Sequence, residues 1–190
     1  MERFTIQKND FLSHDCTGYF HLYYVGYGQP GNPDYLNTLK NIFVSTHPDT
    51  LRAASSQAAT LMIQDIPQVM DAEGLDTAIL MAVPRSKSGM CNWQLGFKAA
   101  VRTTVKALQS DGLSVIDGTD FIFRHTSTKM THLRKPVSNF ENTGSEPYPG
   151  ITNDTCDIQH ESIKGRTIIL IDDIYTKTVN VDEDCIQALY

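Results

Sequence analysis

Two runs of unbroken aliphatic residues constrain this chain more than anything else in it: Thr77 to Val83 (Thr-Ala-Ile-Leu-Met-Ala-Val) and Thr167 to Ile171 (Thr-Ile-Ile-Leu-Ile). Neither alternates apolar with polar residues, so neither suits a strand with one wet face. Both suit strands covered on two faces, as in parallel sheets packed between helices. Between the runs, Phe97, Val101, Val105 and Leu108 step by four, four and three, which predicts a helix from about Cys91 to Gln109 that Asp111-Gly112 stops. Phe121-Ile122-Phe123 predicts a second strand. Strand, helix and strand in that order make a β-α-β unit with parallel strands and a right-handed crossover. The fold class expected is therefore α/β, an open and mainly parallel twisted sheet flanked by helices. A last helix spans Val181 to Tyr190, with Asn180 as N-cap and Glu183 as its capping-box partner. Asp182, Glu183 and Asp184 fall in its first turn, where the helix dipole favours carboxylates, and that accounts for them without a catalytic role.

The rest of the chain is less regular. Phe20 to Tyr27 is aromatic and β-rich, and the loop Gly28-Gln29-Pro30-Gly31-Asn32-Pro33 follows it. Asp34 caps a short predicted helix through Leu36, Leu39, Lys40 and Phe43, and a second helix runs from Thr50 towards Met70, with Pro67 disturbing its last turn. Residues 1–75 thus form a mixed N-terminal region ahead of an α/β core at 76–190. Within that core, 125–165 is poor in apolar residues, as expected of a functional lid or a concealed weak hairpin.

Bulk properties exclude several classes. The 190 residues carry a net charge of −6 and are 41% hydrophobic, too apolar for a disordered chain. The longest apolar stretch, Ala78 to Pro84, is far short of the roughly 20 residues that cross a bilayer, and Met1-Glu2-Arg3-Phe4-Thr5 leads into no secretory apolar run. Nucleic acid is not indicated, because no Lys/Arg cluster offsets the acidic balance. Cys16, Cys91, Cys156 and Cys185 form no Cys-x-x-Cys and no zinc-finger spacing, so free thiols and a reducing, cytoplasmic location are expected.

In open parallel sheets, ligands sit beyond the carboxyl ends of the strands. Two polar loops leave the aliphatic runs there. Pro84-Arg85-Ser86-Lys87-Ser88-Gly89 offers two cations, two hydroxyls and backbone N–H groups ahead of a helix, a set that suits an oxyanion. The loop from Asp172 to Asn180 opens with two adjacent carboxylates, which accept hydrogen bonds from a sugar diol, and continues with the hydroxyls of Thr176 and Thr178, which suit a phosphate. Asp172 and Asp173 equally suit Mg²⁺. A ligand with phosphate at one end, vicinal hydroxyls in the middle and pyrophosphate at the other satisfies both loops.

The stretch Ile168-Ile169-Leu170-Ile171-Asp172-Asp173-Ile174-Tyr175-Thr176 resembles the signature of type I phosphoribosyltransferases, in which four apolar residues and two acids open the loop that binds phosphoribosyl pyrophosphate (PRPP). Val83-Pro84-Arg85-Ser86-Lys87 resembles the pyrophosphate loop of the amidophosphoribosyltransferase-like and competence-associated branch. The resemblance covers roughly residues 77–190 and makes 1–75 the variable hood. It implies that Asp172 and Asp173 bind the ribose hydroxyls, that Thr176, Lys177, Thr178 and the backbone through Asn180 hold the 5′-phosphate, and that Arg85, Ser86, Lys87 and Ser88 hold pyrophosphate with Mg²⁺. Lys129 and His132 lie where the family carries its catalytic loop. The implied reaction displaces pyrophosphate from ribose C1 by a nitrogen nucleophile.

The chain departs from the family pattern where the usual Thr-Thr-Gly-x-Thr reads Thr176-Lys177-Thr178-Val179-Asn180, and it ends in the helix after the motif. A β-branched Thr in place of Gly does not reach positive φ cheaply. That favours an alternative, a non-catalytic PRPP- or nucleotide-binding regulatory or effector module of a multi-protein system such as bacterial antiphage defence. A third reading is a phosphate-binding α/β protein with a metal on Asp172 and Asp173. The partners expected are PRPP or another phosphorylated ribose ligand, no membrane, and a second copy or a partner protein.

Overall fold

The computed structural model describes residues 1–26, 29–40, 46–131 and 140–190. Tyr27, Phe43 and His132, which belong to expectations above, lie outside the described residues. In chain order the elements are β1 (Glu2–Ile6), β2 (Cys16–Phe20), α1 (Asp34–Lys40), α2 (Pro48–Ala72), β3 (Ala78–Ala82), α3 (Gly96–Ser110), β4 (Val115–Asp117), β5 (Ile122–Arg124), β6 (Cys156–Ile158), α4 (His160–Ile163), β7 (Ile168–Ile171) and α5 (Val181–Leu189).

The centre is a three-stranded sheet ordered β4-β3-β7, with both pairings parallel. Ile79 stands opposite Ile116 on one side and Ile168 on the other. Successive side chains of a strand point to opposite faces. Accordingly Ala78 and Leu80 pack with Ile66 and Met70 of α2 and Val101, Val105 and Leu108 of α3, while Ile79 and Met81 pack with Ile122, Cys156, Ile163 and Cys185. Leu80 and Met81 are both fully buried, as a two-faced strand requires. The α/β expectation therefore holds in its coarse form: a parallel sheet flanked by helices.

Several elements differ from expectation, each for a local reason. The second parallel strand is β4, not Phe121 to Phe123. Residues 122–124 instead pair antiparallel with β6, Ile122 opposite Ile158, and Phe123 is exposed. That pairing brings the start and the end of the 125–155 stretch together. The N-terminal strand is Cys16–Phe20, paired antiparallel with β1, and it ends where the aromatic run begins; Leu22, Tyr23 and Val25 are exposed. Helix α3 starts at Gly96, after a single 3-10 turn at Asn92–Leu95, rather than at Cys91. A Cβ at Gly96 would approach Leu39 Cδ2 to 2.9 Å, so the glycine admits the end of α1 against the start of α3.

Helix α2 carries Pro67 and still runs to Ala72. Its N-terminus is capped by His47, whose ring nitrogen accepts from the Asp49 N–H. Although α2 falls within the 1–75 region, its Ile66 and Met70 belong to the core beneath the sheet. The β1–β2 hairpin is tied to α2 by Tyr19 Oη donating to Glu73 at 2.6 Å, and to α5 by Ser13 N–H donating to Gln187 at 2.7 Å. Among the described residues no helix is long and apolar enough to cross a membrane.

Candidate functional site

Because β3 and β7 are parallel neighbours, the loops after them leave the sheet side by side. A cavity of about 1160 Å³ opens between them, on the scale of small-molecule sites. Its wall includes Arg85, Ser86, Lys87 and Ser88 from one loop, Asp172, Asp173 and Thr176 from the other, and Lys129 from the segment after β5. These are the residues that the spacing and the resemblance single out, brought to one place. Lys177, Thr178 and Asn180 do not line it. Lys177 and Thr178 are exposed, and Lys177 borders a second, largely apolar cavity of about 1360 Å³ between β7, α2, α5 and the hairpin. Asn180 accepts from Asn9 Nδ2 at 3.2 Å, and its side chain caps nothing on α5. Glu183, its expected capping partner, instead accepts from Tyr175 Oη at 2.9 Å.

The cationic loop is built into its surroundings. Ser86 C=O accepts from Thr128 N–H at 2.7 Å, and Ser88 N–H donates to Ser127 Oγ at 3.0 Å. Lys87 Nζ donates to the carbonyls of Thr128 and Thr143, and desolvation lowers its pKa. Arg85 C=O accepts from Arg124 Nε at 2.6 Å; Arg124 is buried and also donates to Gly150 C=O at 2.9 Å. Desolvation, only partly opposed by nearby acidic groups, lowers the pKa of that guanidinium. Lys129 pairs with Glu146 at 2.5 Å on the rim.

The acids fall into two sets. Asp173, with a side chain 8% exposed, receives Lys40 Nζ at 2.9 Å and Arg85 Nη2 at 3.9 Å. Asp172 lies on the same cavity wall as Asp182, whose pKa burial raises first and the Asp172 charge raises further. Desolvation first, then the neighbouring acids, raise the pKa of both, and the two titrate together rather than independently. Asp184 accepts from the N–H groups of Gly150 and Ile151 at 2.7 and 2.9 Å, fastening α5 beneath the cavity floor.

Lys40, Asp182 and Asp184 also line the cavity, and none of the three is among the expected site residues. For Asp182 a signal exists. It precedes Cys185 and Leu189 by three and seven residues, the spacing of one helix face, which puts it on the apolar side of α5 rather than on a solvated first turn. Lys40 and Asp184 carry no comparable pattern.

The donor set does not build a protein-only Mg²⁺ cage. Asp173 is engaged by two cations, burial and acidic neighbours raise the pKa of Asp172 and Asp182, and among the described residues no three His, Cys, Asp or Glu side chains are placed to hold a metal ion. No family model matches the chain, and no curated protein or solved structure matches it.

Proposed function

We propose that this chain is a phosphoribosyltransferase-like protein that binds PRPP, with Mg²⁺ carried on the pyrophosphate, and transfers the phosphoribosyl group to a nitrogen nucleophile. The observation that supports it is the meeting of the Arg85–Ser88 loop with Asp172 and Asp173 on one cavity at the carboxyl ends of adjacent parallel strands. Asp172 and Asp173 accept the ribose hydroxyls, Thr176 meets the 5′-phosphate, and the loop after β3 neutralises pyrophosphate through its cations, hydroxyls and N–H groups. As the nitrogen lone pair forms the bond to C1, the C1–O bond to pyrophosphate breaks. Pyrophosphate leaves with the electron pair, and the nucleophile's proton passes to solvent. The chain's work is to position the two reactants and to stabilise charge on the leaving group. Ser127, Thr128 and Thr143, bonded to Ser88, Ser86 and Lys87, lie against the side of the loop that would hold pyrophosphate.

A second reading, a PRPP- or nucleotide-binding module without turnover, draws on a different observation: Lys177 and Thr178 are exposed and do not line the cavity, which leaves the 5′-phosphate fewer partners. Calorimetric titration of Mg²⁺-PRPP into the protein and into an Asp172→Asn/Asp173→Asn variant tests the pocket, and a pyrophosphate-release screen over nitrogen nucleophiles separates the readings. Binding that the double variant loses, with pyrophosphate release, is the expected result. Binding without release favours the module. No binding to the intact protein removes both.

A further inference from the structure

We infer that Lys40, on α1, makes the site selective for a phosphoribosyl ligand with an anionic group at C1 over one without it; this rests on the phosphoribosyl reading above. Lys40 Nζ lies 2.9 Å from Asp173 and on the wall of the same cavity as the Arg85–Ser88 loop. Asp173 is one of the two carboxylates offered to the ribose diol, and it is also the carboxylate that pairs with Lys40. The position is not accidental: Leu39, the preceding residue, is buried in the α1–α2 core, and its carbonyl accepts from Arg85 Nη2 at 2.6 Å. Arg85 therefore ties the end of α1 to the β3 loop and stays near Asp173, at 3.9 Å, whether or not Lys40 is there.

A diol that takes Asp173 displaces Lys40. A partly buried ammonium deprived of its counter-charge is costly unless another anion receives it. Pyrophosphate at C1 would lie against the Arg85 loop and receive it, whereas ribose 5-phosphate offers nothing at C1. The exchange of Asp173 for pyrophosphate thus rewards only the ligand that carries both groups. Asp173 keeps Arg85 as a partner throughout, so the exchange leaves no bare carboxylate.

The test titrates Mg²⁺-PRPP, ribose 5-phosphate and Mg²⁺-pyrophosphate into wild type, Lys40→Met and Lys40→Arg, with thermal melting to establish that each variant folds. In Lys40→Met, PRPP should weaken about tenfold or more, the scale of a lost charged hydrogen bond, while pyrophosphate alone, which displaces nothing from Asp173, should change little. Ribose 5-phosphate should bind as well as before or better, and Lys40→Arg should restore most of the preference. Equal weakening of PRPP and ribose 5-phosphate in Lys40→Met, or no change in either, overturns the inference and leaves the phosphoribosyl reading standing. Pyrophosphate that binds through Lys40 while neither sugar phosphate binds wild type sinks the phosphoribosyl reading and retains Lys40 as an anion-binding residue. Failure of all three probes on folded wild type overturns both.

Discussion

Asp172 and Asp173 are adjacent in the chain and lead different electrostatic lives. Asp173 is compensated by Lys40 and Arg85, whereas Asp172 titrates together with another carboxyl, Asp182. The consequence for stability follows from linkage. The folded pair holds protons that the unfolded chain gives up near the ordinary aspartate pKa of about 4. Folded protein therefore binds more protons than unfolded protein from there up through the raised values. In that window stability falls as pH rises. Asp182→Asn, which removes one of the two titrating groups, should flatten this fall above neutrality. Urea denaturation at a series of pH values measures it; an unchanged slope would mean that the two carboxyls do not titrate together. The Asp172-Asp173 pair itself was legible from its position after an aliphatic run, but its division of labour was not, because Lys40 arrives from an element distant in sequence and acids in the first turn of α5 suit the helix dipole whether solvated or buried.

At the scale of elements, legibility followed length and burial. β3 and β7 announce themselves because strands covered on both faces leave an unbroken aliphatic run. β4 has three residues and only Val115 of them buried, too little for any period to show, while the more apolar Phe121 to Phe123 drew the assignment to itself. The first turn of α5 misled differently. Carboxylates there suit the helix dipole in any context, so sequence does not distinguish a solvated turn from one that is buried and bonded. Asp184 is the clearer case, since its carboxylate accepts both the Gly150 and Ile151 N–H groups. Asp184→Ala leaves two buried donors unsatisfied and should cost about 2 kcal/mol, lowering Tm by roughly 4–8 °C for a chain of this size. Asp184→Asn, with one acceptor oxygen kept, should lose less. Equal melting temperatures for wild type and Asp184→Ala would show that this tether contributes nothing.

For the whole molecule, the contrast is between a chain with net charge −6 and a cavity on which Lys40, Arg85, Lys87, Lys98 and Lys129 converge. The same wall carries Asp172, Asp173, Asp182 and Asp184, so the cleft offers cations and acids side by side, a pattern that suits a ligand bearing both anionic groups and hydroxyls. That gathering depends on topology. Neighbouring parallel strands deliver the two loops together, Arg124 and Ser127 bond to the one after β3, and α1 brings in Lys40. Sequence order alone indicated the two loops. It also marked Lys129 in the segment after β5, but not Lys40, whose contact with Asp173 forms only on folding. The most direct measurement is amide hydrogen exchange with and without Mg²⁺-PRPP, resolved to short peptides. Protection that appears together in residues 84–89 and 172–176 is the predicted result. Protection of neither loop, or of only one, would contradict a single site shared between them.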